Sequence, residues 1–106
     1  MSETEVVNSC IRWLLLNGCF VWRNNTGAYK SEGGRFIRYG CKGSPDIIGM
    51  TASGRFIGVE CKYGKGKLQD TQKAFGEKIV AHGGIYIVAY SIDDLEKQLK
   101  LTKAKL

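Results

Sequence analysis

Asp46, Glu60 and Lys62 are the residues of this chain whose types and spacing could do chemistry together. They bracket two runs rich in β-formers, Asp46 to Met50 and Arg55 to Lys62, joined by a turn at Ala52-Ser53-Gly54. Such runs around a short turn ending in glycine predict a hairpin. A three-residue loop centred on Ser53, with Gly54 left-handed, pairs Met50 with Phe56, Ile48 with Gly58 and Asp46 with Glu60. Strand side chains alternate, so all of these point to one side, and Lys62, next but one after Glu60, joins them. Ile47, Ile57, Val59 and Cys61 point the other way as an apolar face. The two carboxylates then stand opposite each other with Cβ atoms about 5 Å apart, which destabilises a sheet unless something neutralises them. A divalent cation would do so: Mg2+ or Mn2+ suits oxygen ligands from one or two carboxylates plus water. A lysine beside such an ion can orient a water or offset charge developing on a phosphate. The bland alternative is a solvent-facing Glu60–Lys62 pair with Asp46 capping a loop.

The surroundings favour a polyanionic partner. Sixteen Lys and Arg stand against ten Asp and Glu, a net charge of +6. Arg23, Asn24, Asn25, Tyr29, Lys30, Arg35, Arg38 and Lys42 interleave bases with aromatics ahead of the hairpin, a pattern suited to tracking a phosphate backbone. An exposed basic loop with no defined contact is the plainer reading. Gly64-Lys65-Gly66-Lys67 lacks the serine or threonine that closes a Walker A loop, so no nucleotide cofactor is expected. Lys65 and Lys67, with exposed backbone N–H groups, could still meet a phosphate. His82 follows no zinc-ligand spacing and reads as a cation at a helix C-terminus. Cys10, Cys19, Cys41 and Cys61 form no CxxC pair. Cys10 and Cys61 fall within apolar patterns, which suits reduced core thiols of an intracellular protein.

These residues need a scaffold, and 106 residues with 43% hydrophobic and 25% charged content make one soluble domain over 1–106. No membrane partner is expected: the longest apolar run, Trp13 to Leu16, is far short of the about 20 residues of a span. Glu3 and Glu5 stand where a secretory signal would be basic. Val6, Val7, Cys10, Ile11, Leu14 and Leu15 have helical spacing, which predicts a helix over Glu3–Asn17 with Trp13, Leu14 and Leu15 in the core. Ser2 and Glu5 form a capping-box pattern, and Gly18 a stop. Phe20–Arg23 reads as a strand, Asn24–Gly34 as a loop and Arg35–Arg38 as a short strand. After the hairpin, Gln69–His82 reads as a helix stopped by Gly83-Gly84. Ile85–Tyr90 reads as a strand buried on both faces, and Ser91 caps a last helix to about Leu101. The order predicts an α/β fold, one mixed sheet flanked by helices.

Pro45-Asp46 followed by Glu60-Cys61-Lys62 resembles the PD-(D/E)xK nuclease signature. The wider stretch Gly43-Ser44-Pro45-Asp46-Ile47-Ile48-Gly49, then Phe56 to Lys62, Gly66-Lys67-Leu68, Gln72 and Gly83-Gly84, resembles the VRR-NUC (viral replication and repair nuclease) domain. The helix bearing Glu5 and the run Trp22 to Gly27 also fit, so the resemblance covers about Glu3 to Leu99. It implies a restriction-endonuclease-like core, similar to that of Holliday-junction resolvases. It implies a DNA endonuclease dependent on Mg2+ or Mn2+, working in replication, repair or recombination; the sequence shows no base-reading element, so selectivity for DNA shape or ends, such as branched DNA, is expected, with flaps, junctions and single strands all open. It also implies a homodimer, as in the family's small, virus-borne members. By the same resemblance Asp46 and Glu60 hold the metal with the backbone carbonyl of Cys61, Lys62 is the catalytic lysine, and Gln72 steadies the site. Glu5 matches the glutamate of the first helix, with Glu3 an alternative match and the Ser2 capping box an alternative role. Many relatives carry valine where this chain has Cys61, and a core-facing thiol is a tolerable substitute. The rival reading is a non-catalytic nucleic-acid-binding module, which would be indifferent to EDTA.

Overall fold

The computed structural model describes residues 2–106. Helix α1 (Glu3–Leu16) starts where the Ser2 hydroxyl accepts the Glu5 N–H at 3.2 Å, satisfying one orphan donor of the first turn. Its stripe of Val6, Val7, Cys10 and Leu14 is buried. Leu15, expected in the core, is 48% exposed. One residue is about 100° of helical rotation, and that step carries Leu15 off the buried stripe.

Strand β1 (Phe20–Arg23) follows, then β2 (Gly27–Lys30), β3 (Phe36–Tyr39), β4 (Ile47–Met50) and β5 (Phe56–Cys61). Helix α2 (Asp70–Ala81), β6 (Ile85–Ala89) and α3 (Ile92–Thr102) complete the chain. The main sheet has the order β1-β4-β5-β6. Its first two pairings are antiparallel and β5–β6 is parallel, with α2 as the crossover. The fold is therefore α/β with a mixed sheet flanked by helices, as the sequence predicts.

The central hairpin has the expected register, Met50 opposite Phe56 and Ile48 opposite Gly58. The Thr51 N–H donates to the Arg55 carbonyl at 2.8 Å across the three-residue loop, and Gly54 takes the left-handed conformation at φ 84°. Ile47, Ile57, Val59 and Cys61 are buried, joined on the same face by Ile85, Ile87 and Ala89. Val6, Val7, Cys10 and Leu14 of α1 and Leu95 and Leu99 of α3 close this face into one core. Helix α2 covers part of the other face, where Ile79 and Pro45 lie against Gly58. Strand β6, expected to be buried on both faces, is fully buried on one; Tyr86 and Val88 on the other are half-buried because α2 covers them incompletely. All four cysteines are free, with Cys10, Cys19 and Cys61 buried and Cys41 exposed.

The segment Asn24–Gly34, expected as a loop, contains β2. It pairs antiparallel with β3 as a separate ribbon, from Gly27 opposite Tyr39 to Lys30 opposite Phe36. Strand β3 lies one residue later than the expected Arg35–Arg38. Every residue of both strands is exposed. With no buried face there is no apolar alternation to mark them, and backbone pairing alone makes the strands. Among the described residues no helix is long and apolar enough to cross a membrane.

Candidate active site

The site begins where the β4–β5 ladder stops. Register would bring Pro45 opposite Cys61, but proline has no N–H to continue the pairing. The Cys61 N–H instead donates to Asp46 Oδ2 at 2.8 Å. One strand residue directs its N–H and C=O to the same edge, so the Cys61 carbonyl projects toward the edge that carries Asp46. Asn24 extends β1 by donating its backbone N–H to the Asp46 carbonyl at 2.7 Å. Its side-chain amide donates to Ser44 Oγ at 2.6 Å and to the Pro45 carbonyl at 2.9 Å. Ser44 Oγ in turn donates to the Cys41 carbonyl at 2.6 Å. Gly43, at φ 84°, lies so close to α2 that a Cβ would come 2.5 Å from the Thr71 carbonyl oxygen. The loop from Cys41 to Pro45 is thus held between β1 and α2, and it delivers Asp46.

Strand β5 delivers the other two groups. Glu60 is 2% exposed and Lys62 8%. Gln72, from the first turn of α2, ties them together. Its Nε2 donates to Glu60 Oε1 at 3.2 Å, and its Oε1 accepts from Lys62 Nζ at 3.1 Å. The same Oε1 accepts the Gln69 N–H at 2.9 Å, completing a reciprocal capping box at the start of α2. Lys62 Nζ stands 4.0 Å from Glu60 Oε1. Glu60 Oε2 is buried with no hydrogen-bond partner. Burial, and then the Asp46 carboxylate within hydrogen-bonding reach, push Glu60 up to about 9, against the opposing pull of the Lys62 ammonium. Tyr86, on the neighbouring strand, is pushed up to about 12 by burial and by the same two carboxylates.

A cavity of about 310 Å³ opens on this cluster, lined by Asp46, Glu60 and Gln72, by Thr26, Gly27, Ala28 and Arg38 of the ribbon, and by Lys42, Gly43 and Ser44. Gln69 and Thr71 complete its wall. Lys62, held by Gln72 next to Glu60, is not among the lining residues. Of the cations expected to meet a phosphate backbone, Arg38 and Lys42 reach this cavity. Arg23, Asn25, Tyr29, Lys30, Arg35, Lys65 and Lys67 are exposed outside it. Asn24 was expected among the same group, yet both its amide donors serve the loop that carries Asp46. Glu5 is exposed and outside the lining, whereas the charge of Glu3 acts on Glu60 and raises its pKa further. Gln69 and Thr71 were not singled out from the sequence; the capping-box signature starts with Ser or Thr, so the Gln69-to-Gln72 spacing gives no signal for the first.

The donor chemistry fits a hard divalent cation. Two carboxylates lie within reach of each other, and one has a buried oxygen with no hydrogen-bond partner. Among the described residues no group of three or more His, Cys, Asp or Glu converges. Two neighbouring carboxylates could hold an ion that takes one or two of them and keeps water in its remaining positions. No curated protein and no solved structure gives a significant match to the chain. The family model described as the VRR-NUC domain matches residues 2–93 of the 106, a span that contains every element from α1 through β6 and the whole cluster around Asp46, Glu60, Lys62 and Gln72. The chain belongs to the VRR-NUC family of nucleases.

Proposed function

We propose that the protein is a DNA endonuclease dependent on Mg2+ or Mn2+. The observation that carries this reading is the buried, partnerless Glu60 Oε2 beside Asp46, with Lys62 held next to them. Asp46, Glu60 and the Cys61 carbonyl would hold the ion, which when bound supplies an activated water and offsets phosphate charge. The protein's own side chains do the rest. Gln72 fixes the Lys62 ammonium beside Glu60, where it can stabilise charge building on the phosphodiester oxygens. Arg38 and Lys42 draw the strand's phosphates into the cavity.

Phosphate contacts of this kind position a nucleic acid without reading its sequence. The selectivity we infer is accordingly for shape, branched DNA of the Holliday-junction type, in replication, repair or recombination. Cutting two strands with one small site per chain calls for a symmetric homodimer, and two-fold dimers are the commonest oligomers. Buried free thiols suit a reducing, intracellular compartment. The test is cleavage of a panel of branched and linear DNAs in Mg2+, Mn2+ and EDTA. Cleavage restored by metal and greatest on branched substrates is expected; cleavage that persists in EDTA, or none on any DNA, overturns the reading.

A further inference from the structure

The β2–β3 ribbon is larger than the cavity wall requires. Its strands pair only with each other, and all their residues are exposed. A lone two-stranded hairpin is marginal in water, so something must brace it. Tyr39 lies against Gly27, where a Cβ would come 2.6 Å from the tyrosine oxygen. The Tyr29 and Tyr39 ring centroids are 6.4 Å apart, with Ile37 opposite Tyr29. This aromatic face supports the ribbon itself. Alternation puts Ala28, Lys30, Phe36 and Arg38 on the other face. Ala28 and Arg38 line the cavity of Asp46 and Glu60, so the second face runs out continuously from the site. From Asn24 to Gly43 the charged residues are Lys30, Arg35, Arg38 and Lys42 against Glu32.

We propose that this ribbon is a duplex clamp whose Lys30–Arg38 face lies in the major groove of DNA continuing beyond the phosphate held in the cavity. The inference rests on the endonuclease reading. Its charge complements the phosphates that rim a groove. Its shape fits: the B-DNA major groove, about 12 Å wide and 8.5 Å deep, admits a two-stranded ribbon. Four strand residues at about 3.3 Å each reach roughly 13 Å, enough to span that depth. The major groove of duplex RNA is too narrow and deep for side chains to read. A single strand calls for a row of open aromatics on which successive bases stack, and this face offers one, Phe36, with Tyr29 and Tyr39 on the opposite face.

The experiment measures binding by fluorescence anisotropy in EDTA, so that it does not depend on cleavage. A short DNA duplex, one of its single strands and the matching RNA duplex are titrated with wild type and with a variant in which residues 29–37 are replaced by Asn-Gly. Wild type should prefer the DNA duplex by at least about tenfold, and the shortened variant should lose that preference. A point variant guards against misfolding: Lys30→Ala should lower the slope of log affinity against log salt by about 1. Duplex preference surviving the shortening, or an unchanged salt slope in Lys30→Ala, overturns the clamp. Conversion of a dimer to a monomer on shortening, with Lys30→Ala silent, assigns the ribbon to a second copy and also overturns it. The underlying reading is checked separately by wild-type hydrolysis of branched and linear DNAs in Mn2+. Absence of hydrolysis would sink the endonuclease reading while the binding comparison still decides whether the ribbon grips duplex DNA.

Discussion

A carboxyl group that is 2% exposed, with one oxygen facing no donor, is relieved either by keeping its proton or by meeting a cation. Without metal, Glu60 keeps its proton at neutral pH. Its folded pKa of about 9 lies above the unfolded 4.5. The stability it contributes is therefore complete below pH 4.5 and is lost as pH rises through about 9. Thermal stability in EDTA should fall across that window. Glu60→Gln should remove the fall and be more stable than wild type at the alkaline end by about 1–3 kcal/mol. The same pH slope in both proteins would assign it to other groups. Asp46→Asn removes the facing charge and keeps an acceptor for the Cys61 N–H. Above about pH 9, where Glu60 is ionised, its metal-free stability should equal or slightly exceed that of wild type, while Mn2+ should no longer raise its Tm. Equal Mn2+ shifts in both proteins would remove Asp46 from the ligand set. Lys62→Ala should lower cleavage by about 10²–10³-fold while leaving DNA affinity within a factor of about 2. Affinity lost in step with cleavage would deny the lysine a role at the reacting phosphate.

At the scale of elements, the site depends on how a loop is pinned. Asn24 holds the Ser44-Pro45 backbone with two hydrogen bonds, so Asn24→Ala should cost about 1–2 kcal/mol of stability. Because that loop carries Asp46, the variant should also need more Mn2+ for half-maximal cleavage, with DNA affinity in EDTA nearly unchanged. A large loss of DNA affinity instead would return Asn24 to the DNA-binding set. This role was not legible in the sequence, because the Asn24–Ser44 contact exists only after β1 pairs with β4. The Asp46–Glu60 hairpin was legible, because Ile47, Ile57 and Val59 alternate with the polar side and the turn ends in a glycine that can be left-handed. Of the ribbon, β3 was legible to within one residue and β2 was not, since a strand exposed on both faces carries no alternation. Glu3 against Glu5 was undecidable from spacing: both lie in the first turn of α1, and only the packing of that helix brings the charge of one to bear on Glu60.

For the whole molecule, the question is what a chain of net charge +6 can bring against itself. Two such copies repel unless they meet through an uncharged surface or across a shared polyanion. One uncharged surface stands out on the sheet face that α2 leaves open. Phe20 faces Met50 and Met50 faces Phe56, a row across three strands, and all three side chains are exposed. Trp22, also exposed, lies beside Phe20 with ring centroids 5.5 Å apart. Contiguous exposed apolar groups of this kind mark contact surfaces more often than chance. Light scattering without DNA should accordingly give twice the 11.7 kDa chain mass at micromolar concentration. Trp22→Glu should shift that mass to the monomer, since it places like charges at a two-fold contact where each copy presents the same patch. The substitution lies outside the cavity lining, so a monomeric variant should still bind short DNA in EDTA while losing paired cuts on a branched substrate. A wild-type monomer would remove the homodimer altogether, and a Trp22→Glu variant that stays dimeric would move the contact off this face.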